Sequence, residues 1–193
     1  MAERLCLVVC PLFEVEVRAA LGRLGTINVV VKSFPKSCEA MKETPGKDDN
    51  IITQAVDDCT TLVLICSYAM RKPKEAEPRT RHRVHIVDQC FDLLMEPEQL
   101  AKLQDAGAHL FTPIMLASWP NTLTGWGFDQ QTARAFFGES TSLLIGIDTY
   151  GDAGLAEDLA SLSRYLNIPS EVVAANHKHL ESCISTLVAA YSH

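Results

Sequence analysis

Four cysteines stand at or just after the ends of apolar runs that are typical of β-strands. Cys10 ends LCLVVC, Cys66 ends LVLIC, Cys90 follows VHIVDQ, and Cys38 follows the apolar run 27–34 after a short link. Thiolate sulfur is a soft ligand that suits an iron–sulfur cluster, zinc or another thiophilic metal. Because the chain contains no Cys-x-x-Cys pair, a site that uses these residues would have to be assembled by the fold.

Apolar residues alternate between short runs typical of strands and amphipathic stretches typical of helices. Phe13, Val17 and Leu21 share one face of the first predicted helix, which Pro11 begins and Gly25 ends. The predicted strands are 5–9, 27–34, 62–66, 84–87, 109–112, 143–148 and 168–173. The predicted helices are 11–24, 48–56, 91–106 with a break near Pro97, 155–166, and a closing helix that includes 180–191.

This alternation predicts an α/β protein with one doubly wound, Rossmann-like, mainly parallel sheet and helices on both faces. The length of 193 residues and the absence of a low-complexity linker favour one domain, residues 1–193, with an irregular, aromatic-rich helical segment at about 113–138. The carboxyl ends of parallel strands meet at one edge, about 4.8 Å apart from strand to strand. We therefore expect Cys10, Cys38, Cys66 and Cys90 to converge there as metal ligands. Cys10 and Cys90 also precede predicted helices, whose amides favour thiolate.

The other three cysteines have a simpler interpretation. Cys6 lies within a strand and Cys183 on an apolar helical face, so both are expected to be small hydrophobic core residues. Cys59 follows two aspartates and is expected to be incidental.

A nucleophilic cysteine is the main alternative chemistry. Cys90 follows His85 and Asp88, and a thiolate nucleophile needs a base within hydrogen-bond reach. Side chains alternate along a strand, so His85 need not face Cys90. Nucleotide binding is less favoured, because TYGDAG at 149–154 matches neither phosphate-binding motif and reads as a turn with an aspartate cap.

The charge and the hydropathy of the chain limit the classes of binding partner and the cellular location that we expect. The net charge of −7, with one basic stretch at Arg71–Arg83, argues against nucleic acid or an anionic membrane surface. No apolar run approaches the roughly 18 residues of a membrane helix, and the apolar stretch 5–9 is shorter than a signal sequence needs. We therefore expect a cytoplasmic protein, in which stable disulfides are uncommon. The aromatic residues between 111 and 137 are expected to pack in the core, although they could also cover the site or mediate homodimerisation.

The segments VVCPLFEVEV, FPKSC, LICSY, HIVDQCFDLL, HLFTPIMLASW and WGFDQQTARAFFGES together resemble a domain-of-unknown-function family of anaerobic bacteria and methanogens. The resemblance covers most of the chain. Members of that family occur alone, near corrinoid-dependent methyltransferases, or fused to signalling modules. The resemblance implies no particular reaction, but it implies a role in anaerobic one-carbon metabolism or sensing. It also implies that Cys10, Cys66 and Cys90 are the family cysteines, while Cys38 belongs to a more variable position.

Residues and resemblance together predict a metal-binding protein that holds an iron–sulfur cluster, or alternatively zinc, through Cys10, Cys66 and Cys90, with Cys38 as the fourth ligand. Its expected role is that of a redox or ligand sensor, or of an accessory protein to corrinoid methyl transfer. The expected partners are a corrinoid methyltransferase or a signalling protein. A small enzyme with a cysteine nucleophile and a metal-free partner-binding module are the alternatives.

Overall fold

The computed structural model describes residues 5–26, 28–33, 60–66 and 82–191. Within 60–66 it describes the side chains of Leu62 and Leu64, and from residue 85 onward it describes side chains throughout. Cys38, Cys59, the basic stretch up to residue 81 and the predicted helix 48–56 lie outside the described residues. The chain divides into two compact units, residues 1–94 with 177–193 and residues 95–176. Each unit is described by itself.

The described strands and helices follow one another in regular alternation. The strands are β1 (Leu5–Val9), β2 (Val29–Ser33), β3 (Thr60–Cys66), β4 (His82–Val87), β5 (Ala108–Phe111), β6 (Leu143–Asp148) and β7 (Ser170–Ala174). The helices are α1 (Glu14–Arg23), α2 (Pro97–Asp105), α3 (Pro113–Gly125), α4 (Gln130–Gly138), α5 (Leu155–Leu166) and α6 (His177–Tyr191). Short 3-10 turns at Pro11–Phe13 and Cys90–Leu93 follow β1 and β4.

The first unit contains a parallel sheet in the order β2-β1-β3-β4. All five residues of β1 are buried, as expected for a central strand covered on both faces. The connection from β2 to β3 passes β1, so the strand order reverses between β1 and β3. In such sheets ligands bind outside the carboxyl ends of the strands at that reversal.

Helices α1 and α6 pack together in the first unit. Val17 and Leu21 of α1 and Leu180 and Ile184 of α6 are all almost fully buried. This apolar contact brings the closing helix, which is far away in sequence, back to the sheet unit that begins the chain.

The second unit contains a parallel sheet in the order β5-β6-β7. Its core combines Leu144 of β6 with Leu159 and Leu162 of α5. Gly146 lies in β6, and a Cβ atom added to it would stand 3.0 Å from Leu159 Cδ2. The glycine therefore permits a close approach of helix to sheet.

The predicted α/β class is confirmed, with parallel strands and helices throughout the described residues. The predicted single doubly wound sheet is not confirmed. The described strands form two sheets, because β4 does not pair with the next strand and β5 pairs with β6 instead. Local apolar patterns predict strands but carry little information about which strands pair. Whether the two units form one domain stays a prediction.

The segment 113–138 is more regular than predicted. It forms two helices, α3 and α4, and Pro120 lies inside α3 without ending it. Within the described part of the chain, no helix combines the length and the apolar character that a membrane crossing requires.

Candidate functional site

Three of the predicted ligand positions lie at the same edge of the first sheet. Cys66 is the last residue of β3 and pairs with Val87 of β4, three residues before Cys90. Continuing the β1–β3 register by two residues sets Cys10 beside Ile65. The backbones of residues 10 and 66 therefore lie on neighbouring strand ends, offset by one position, and the turn that begins at Cys90 follows the next strand. Cys38, the fourth predicted ligand, lies outside the described residues.

An aromatic contact joins the turns that follow β1 and β4. The rings of Phe13 and Phe91 meet edge to face, with centroids 6.0 Å apart. Phe13 is three residues after Cys10, and Phe91 is the residue after Cys90. Since β3 lies between β1 and β4 in the sheet, this contact spans the edge at which β3 ends with Cys66.

Cys10 and Cys90 are thiols and form no disulfide. Cys10 is largely buried, with 9% of its surface exposed, whereas Cys90 is half-buried. Cys10 is in extended conformation, and its carbonyl accepts a hydrogen bond from the Phe13 amide. Its position just before the 3-10 turn is the one that the sequence predicted.

The turn that carries Cys90 is held by reciprocal hydrogen bonds. The Gln89 amide donates to Asp92 Oδ2 over 2.9 Å, and the Asp92 amide donates to the Gln89 carbonyl over 3.1 Å. The Leu94 amide then donates to the Phe91 carbonyl, and Leu93 and Leu94 are buried. The Asp92 carboxylate accepts from the Gln89 amide and the Gln89 side chain accepts from the Asp92 amide, which makes a capping box that fixes the backbone on both sides of Cys90.

The closing helix α6 contacts the same turn through a histidine. His179 Nε2 lies 2.7 Å from the Asp92 carbonyl oxygen. A carbonyl only accepts, so Nε2 carries the proton and donates it. Cys183, one helical turn further on, lies with its Sγ 3.6 Å from the same nitrogen. The sequence offered one signal for this pair, since a spacing of four residues places 179 and 183 on one helical face, but this signal was not used in predicting the site.

Cys6 departs from its predicted role as a hydrophobic residue: it is buried as expected, but it is disulfide-bonded. Cys10, Cys90 and Cys183 are not its partner. Cys66 is excluded by register, because Cys6 pairs with Thr61, and five further residues put Cys66 about 16 Å along β3. A disulfide requires Cα atoms within about 7 Å. Cys38 and Cys59, outside the described residues, are the remaining cysteines.

No group of three or more His, Cys, Asp or Glu side chains within the described part of the chain is placed to hold a metal ion. The proposed ligand set is only partly covered by that finding, because Cys38 and the side chain of Cys66 lie outside the description. The metal, the cluster and the four-residue ligand set therefore stay predictions.

The alternative chemistry at Cys90 gains little from the geometry. His85 is half-buried on β4, its neighbour Ile86 is 45% exposed, and no hydrogen bond among the described residues joins His85 to Cys90. The loop 149–154 is a turn, as predicted: Asp148 Oδ1 accepts from the Gly151 amide, and Asp152 Oδ1 accepts from the Gly154 amide.

The aromatic residues of the second unit divide between core and surface. Trp119 stacks on Tyr165 and packs against the core, as the sequence predicted. Phe128 connects Trp126 to Phe136, through ring contacts of 5.8 and 5.2 Å. Trp126 is 45% exposed and Phe136 is 54% exposed. Homodimerisation through these rings stays a prediction.

No protein-family model, no curated protein and no solved structure matches this chain.

Proposed function

We propose that the protein binds a metal cofactor through cysteines at the carboxyl edge of its first sheet. The proposed ligands are Cys10, Cys66 and Cys90, with Cys38 as the fourth. The preferred cofactor is an iron–sulfur cluster, and zinc is the alternative.

One observation carries the proposal: residue 10 follows β1, residue 66 ends β3 and residue 90 follows β4, and these three strands are consecutive in the parallel sheet. Strand spacing puts the ends of β1 and β4 roughly 10 Å apart, and β3 lies between them. The 6.0 Å contact of Phe13 with Phe91 links the two flanking turns. The backbone thus carries Cys10 and Cys90 on either side of Cys66 at one edge of the sheet.

The chemistry of the donors fits a thiophilic group. Cys10 and Cys90 are thiols, and the register argument keeps Cys66 out of the disulfide of Cys6. Soft sulfur ligands select iron–sulfur clusters and zinc over hard cations such as Mg²⁺. Burial of Cys10 limits water at the centre, which tunes the reduction potential of a bound cluster. The chain's own contribution is to hold the thiolates and to exclude solvent.

In this proposal the protein works in the cytoplasm as a redox or ligand sensor, or as an accessory protein to corrinoid methyl transfer, with a methyltransferase or a signalling protein as partner. The disulfide of Cys6 is compatible with a sensing role, because cytoplasmic disulfides are usually redox-active rather than permanent.

Anaerobic purification followed by analysis of iron, acid-labile sulfide and zinc tests the proposal. We expect iron with sulfide, or zinc alone, in stoichiometric amount. Cys10→Ser, Cys66→Ser and Cys90→Ser should each strip the metal, since each removes a ligand. Cys183→Ser is the matched control, because Cys183 is also a half-buried thiol of the first unit but lies on α6. Cys6→Ser is unsuitable as a control, since it breaks a disulfide.

Native protein without metal, or variants that all retain it, would contradict the proposal. If metal is absent and Cys90 alone reacts fast with an alkylating agent at neutral pH, the nucleophilic enzyme becomes the better account. If metal is absent and no cysteine reacts fast with the alkylating agent, the metal-free partner-binding module is the account that remains.

A further inference from the structure

A histidine side chain connects the Cys90 turn to the closing helix. His179 Nε2 donates to the Asp92 carbonyl over 2.7 Å, and residues 92 and 179 are 87 positions apart in sequence. The Asp92 carbonyl belongs to the same 3-10 turn that Cys90 begins. Asp92 is two residues after Cys90. Any displacement of its carbonyl therefore also shifts the backbone close to the Cys90 thiol.

The turn has internal and external restraints that act on different atoms. The capping box between Gln89 and Asp92 fixes the shape of the turn through its amides and the Asp92 carboxylate. The position of the turn relative to the rest of the unit depends on its chain connection to β4 and on contacts from outside the turn, of which the Phe13–Phe91 contact is one. His179 makes such a contact from α6, a helix whose Leu180 and Ile184 are anchored in the core.

We propose that His179 is a positioning residue for the strand-end site: its hydrogen bond to Asp92 holds the Cys90 turn where Cys90 Sγ can join the other ligands. This inference rests on the proposed function. It assigns to α6, which supplies no ligand, a role in the affinity of the site. Outer-shell partners of this kind typically contribute 10–100-fold to metal affinity.

Cys183 has a subordinate part in this arrangement. Its Sγ is 3.6 Å from the nitrogen that donates to Asp92, so the thiol is a weak second acceptor for the same proton. Removing it leaves the histidine with the stronger acceptor. Cys183→Ala should therefore preserve the position of the Cys90 turn.

A pair of substitutions separates the hydrogen bond from the bulk of the side chain. His179→Gln keeps an N–H donor the same number of bonds from the backbone, whereas His179→Met fills similar space without a donor. Both variants are purified anaerobically, and chelator-driven metal release is timed for each. We expect release from His179→Met to be about 10-fold faster than from wild type, and His179→Gln to restore most of the difference.

A second readout does not need the metal. After metal removal, alkylation of Cys90 is timed by mass spectrometry of its peptide, with the Cys10 peptide as internal reference. A released turn exposes Cys90, so His179→Met should raise its rate several-fold relative to Cys10, and His179→Gln and Cys183→Ala should not. Equal Cys90 rates in wild type and His179→Met would overturn the inference. A Cys90 alkylation rate that is raised in His179→Gln as much as in His179→Met would also overturn the inference. Packing of the side chain, rather than its hydrogen bond, would then be responsible.

The two proposals fail separately. If wild-type protein holds no metal, the proposed function fails, while the alkylation ratio still decides whether His179 positions the turn. If metal is present and alkylation is unchanged, the metal site stands and the role of His179 is rejected.

Discussion

Phe13 and Phe91 meet edge to face with ring centroids 6.0 Å apart, and so connect the turn after Cys10 with the turn after Cys90. Phe13 is 2% exposed, whereas Phe91 is half-buried at the site's margin. The contact links the segments that carry two of the proposed ligands.

A double-mutant cycle of Phe13→Leu and Phe91→Leu should show a favourable coupling of about 0.5–1.5 kcal/mol in the free energy of unfolding, as for other edge-to-face pairs. Urea unfolding of the four proteins measures it. Phe13→Leu combined with Val15→Ala is the control, since Val15 is 59% exposed and should couple weakly. Coupling near zero for the phenylalanine pair would mean that the two turns are held independently.

The disulfide of Cys6 makes a prediction about the ligand set. Peptide mapping of the unreduced protein should recover Cys6 joined to Cys38 or Cys59, and never to Cys66, because register puts Cys66 about 16 Å along β3 from the position opposite Cys6. A Cys6–Cys38 peptide would remove Cys38 from the proposed ligands. A Cys6–Cys66 peptide would contradict the register itself and with it the placement of the site.

The elements that the sequence predicted best are those with strong local signals. Strand β6, Leu143–Asp148, and helix α5, Leu155–Leu166, have the predicted bounds, since the first is an uninterrupted apolar run and the second has leucines at helical spacing between turn residues. The strand-end positions of Cys10, Cys66 and Cys90 followed from the same local signals together with the general geometry of parallel sheets.

What the sequence could not predict depends on contacts between distant residues. The break between β4 and β5 that makes two sheets is a choice of hydrogen-bond partner, and neither strand's composition records it. The contact of His179 with Asp92 spans 87 positions, and only the docking of α6 on the first unit creates it. The disulfide of Cys6 likewise depends on which cysteine the fold brings near.

The Glu14 carboxyl is the basis of the first of two predictions on how folding stability depends on pH. A hydrogen bond from Ser33 and then one from Arg18 hold the pKa of the Glu14 carboxyl below 4.5. Arg18 also donates to the Val31 carbonyl over 2.7 Å, so the group connects α1 to β2. Since the ionised carboxylate is the form that the fold favours, its contribution is complete above pH 4.5 and is lost as pH falls through the lowered pKa.

Glu14→Gln should therefore lower the free energy of unfolding slightly at neutral pH, by less than about 1 kcal/mol as for exposed ion pairs, and the difference from wild type should shrink in acid. Urea unfolding across the acid range measures this. Glu98→Gln, on the exposed first turn of α2, is a control for loss of one charge. A difference that grows as pH falls would contradict the assignment.

His109 gives the second prediction on pH, and here the fold favours the neutral form of the group. Its ring lies 4.8 Å from that of Phe111 and 5.3 Å from that of Phe137, although the residue as a whole is exposed at the edge strand β5. Desolvation by this packing lowers the pKa of His109 below 6.5. The neutral ring is the form that the fold favours, so its stability is complete above pH 6.5 and decreases as pH falls below that value.

Unfolding of wild type and His109→Phe, compared from about pH 8 to about pH 5, tests this direction. Phenylalanine keeps the ring contacts but cannot be protonated. We expect wild type to lose stability relative to His109→Phe as the solution is acidified. A constant difference between the two proteins would show that the aromatic neighbours do not penalise the charged ring.

Gly146 tests the close packing of the second unit. A Cβ atom at this position would stand 3.0 Å from Leu159 Cδ2 and 3.4 Å from Leu155 Cδ1, both buried side chains of α5. Gly146→Ala should lower the free energy of unfolding by about 1–3 kcal/mol, as other overpacking substitutions do. Gly138→Ala is the matched control, because a Cβ there would meet nothing within 4 Å.

Leu159→Val removes the atom that the new methyl would strike, so the double variant should lose less stability than the sum of the single losses. Simple additivity would show that α5 can shift away from β6 without penalty, and that the glycine is not required for the approach of helix to sheet.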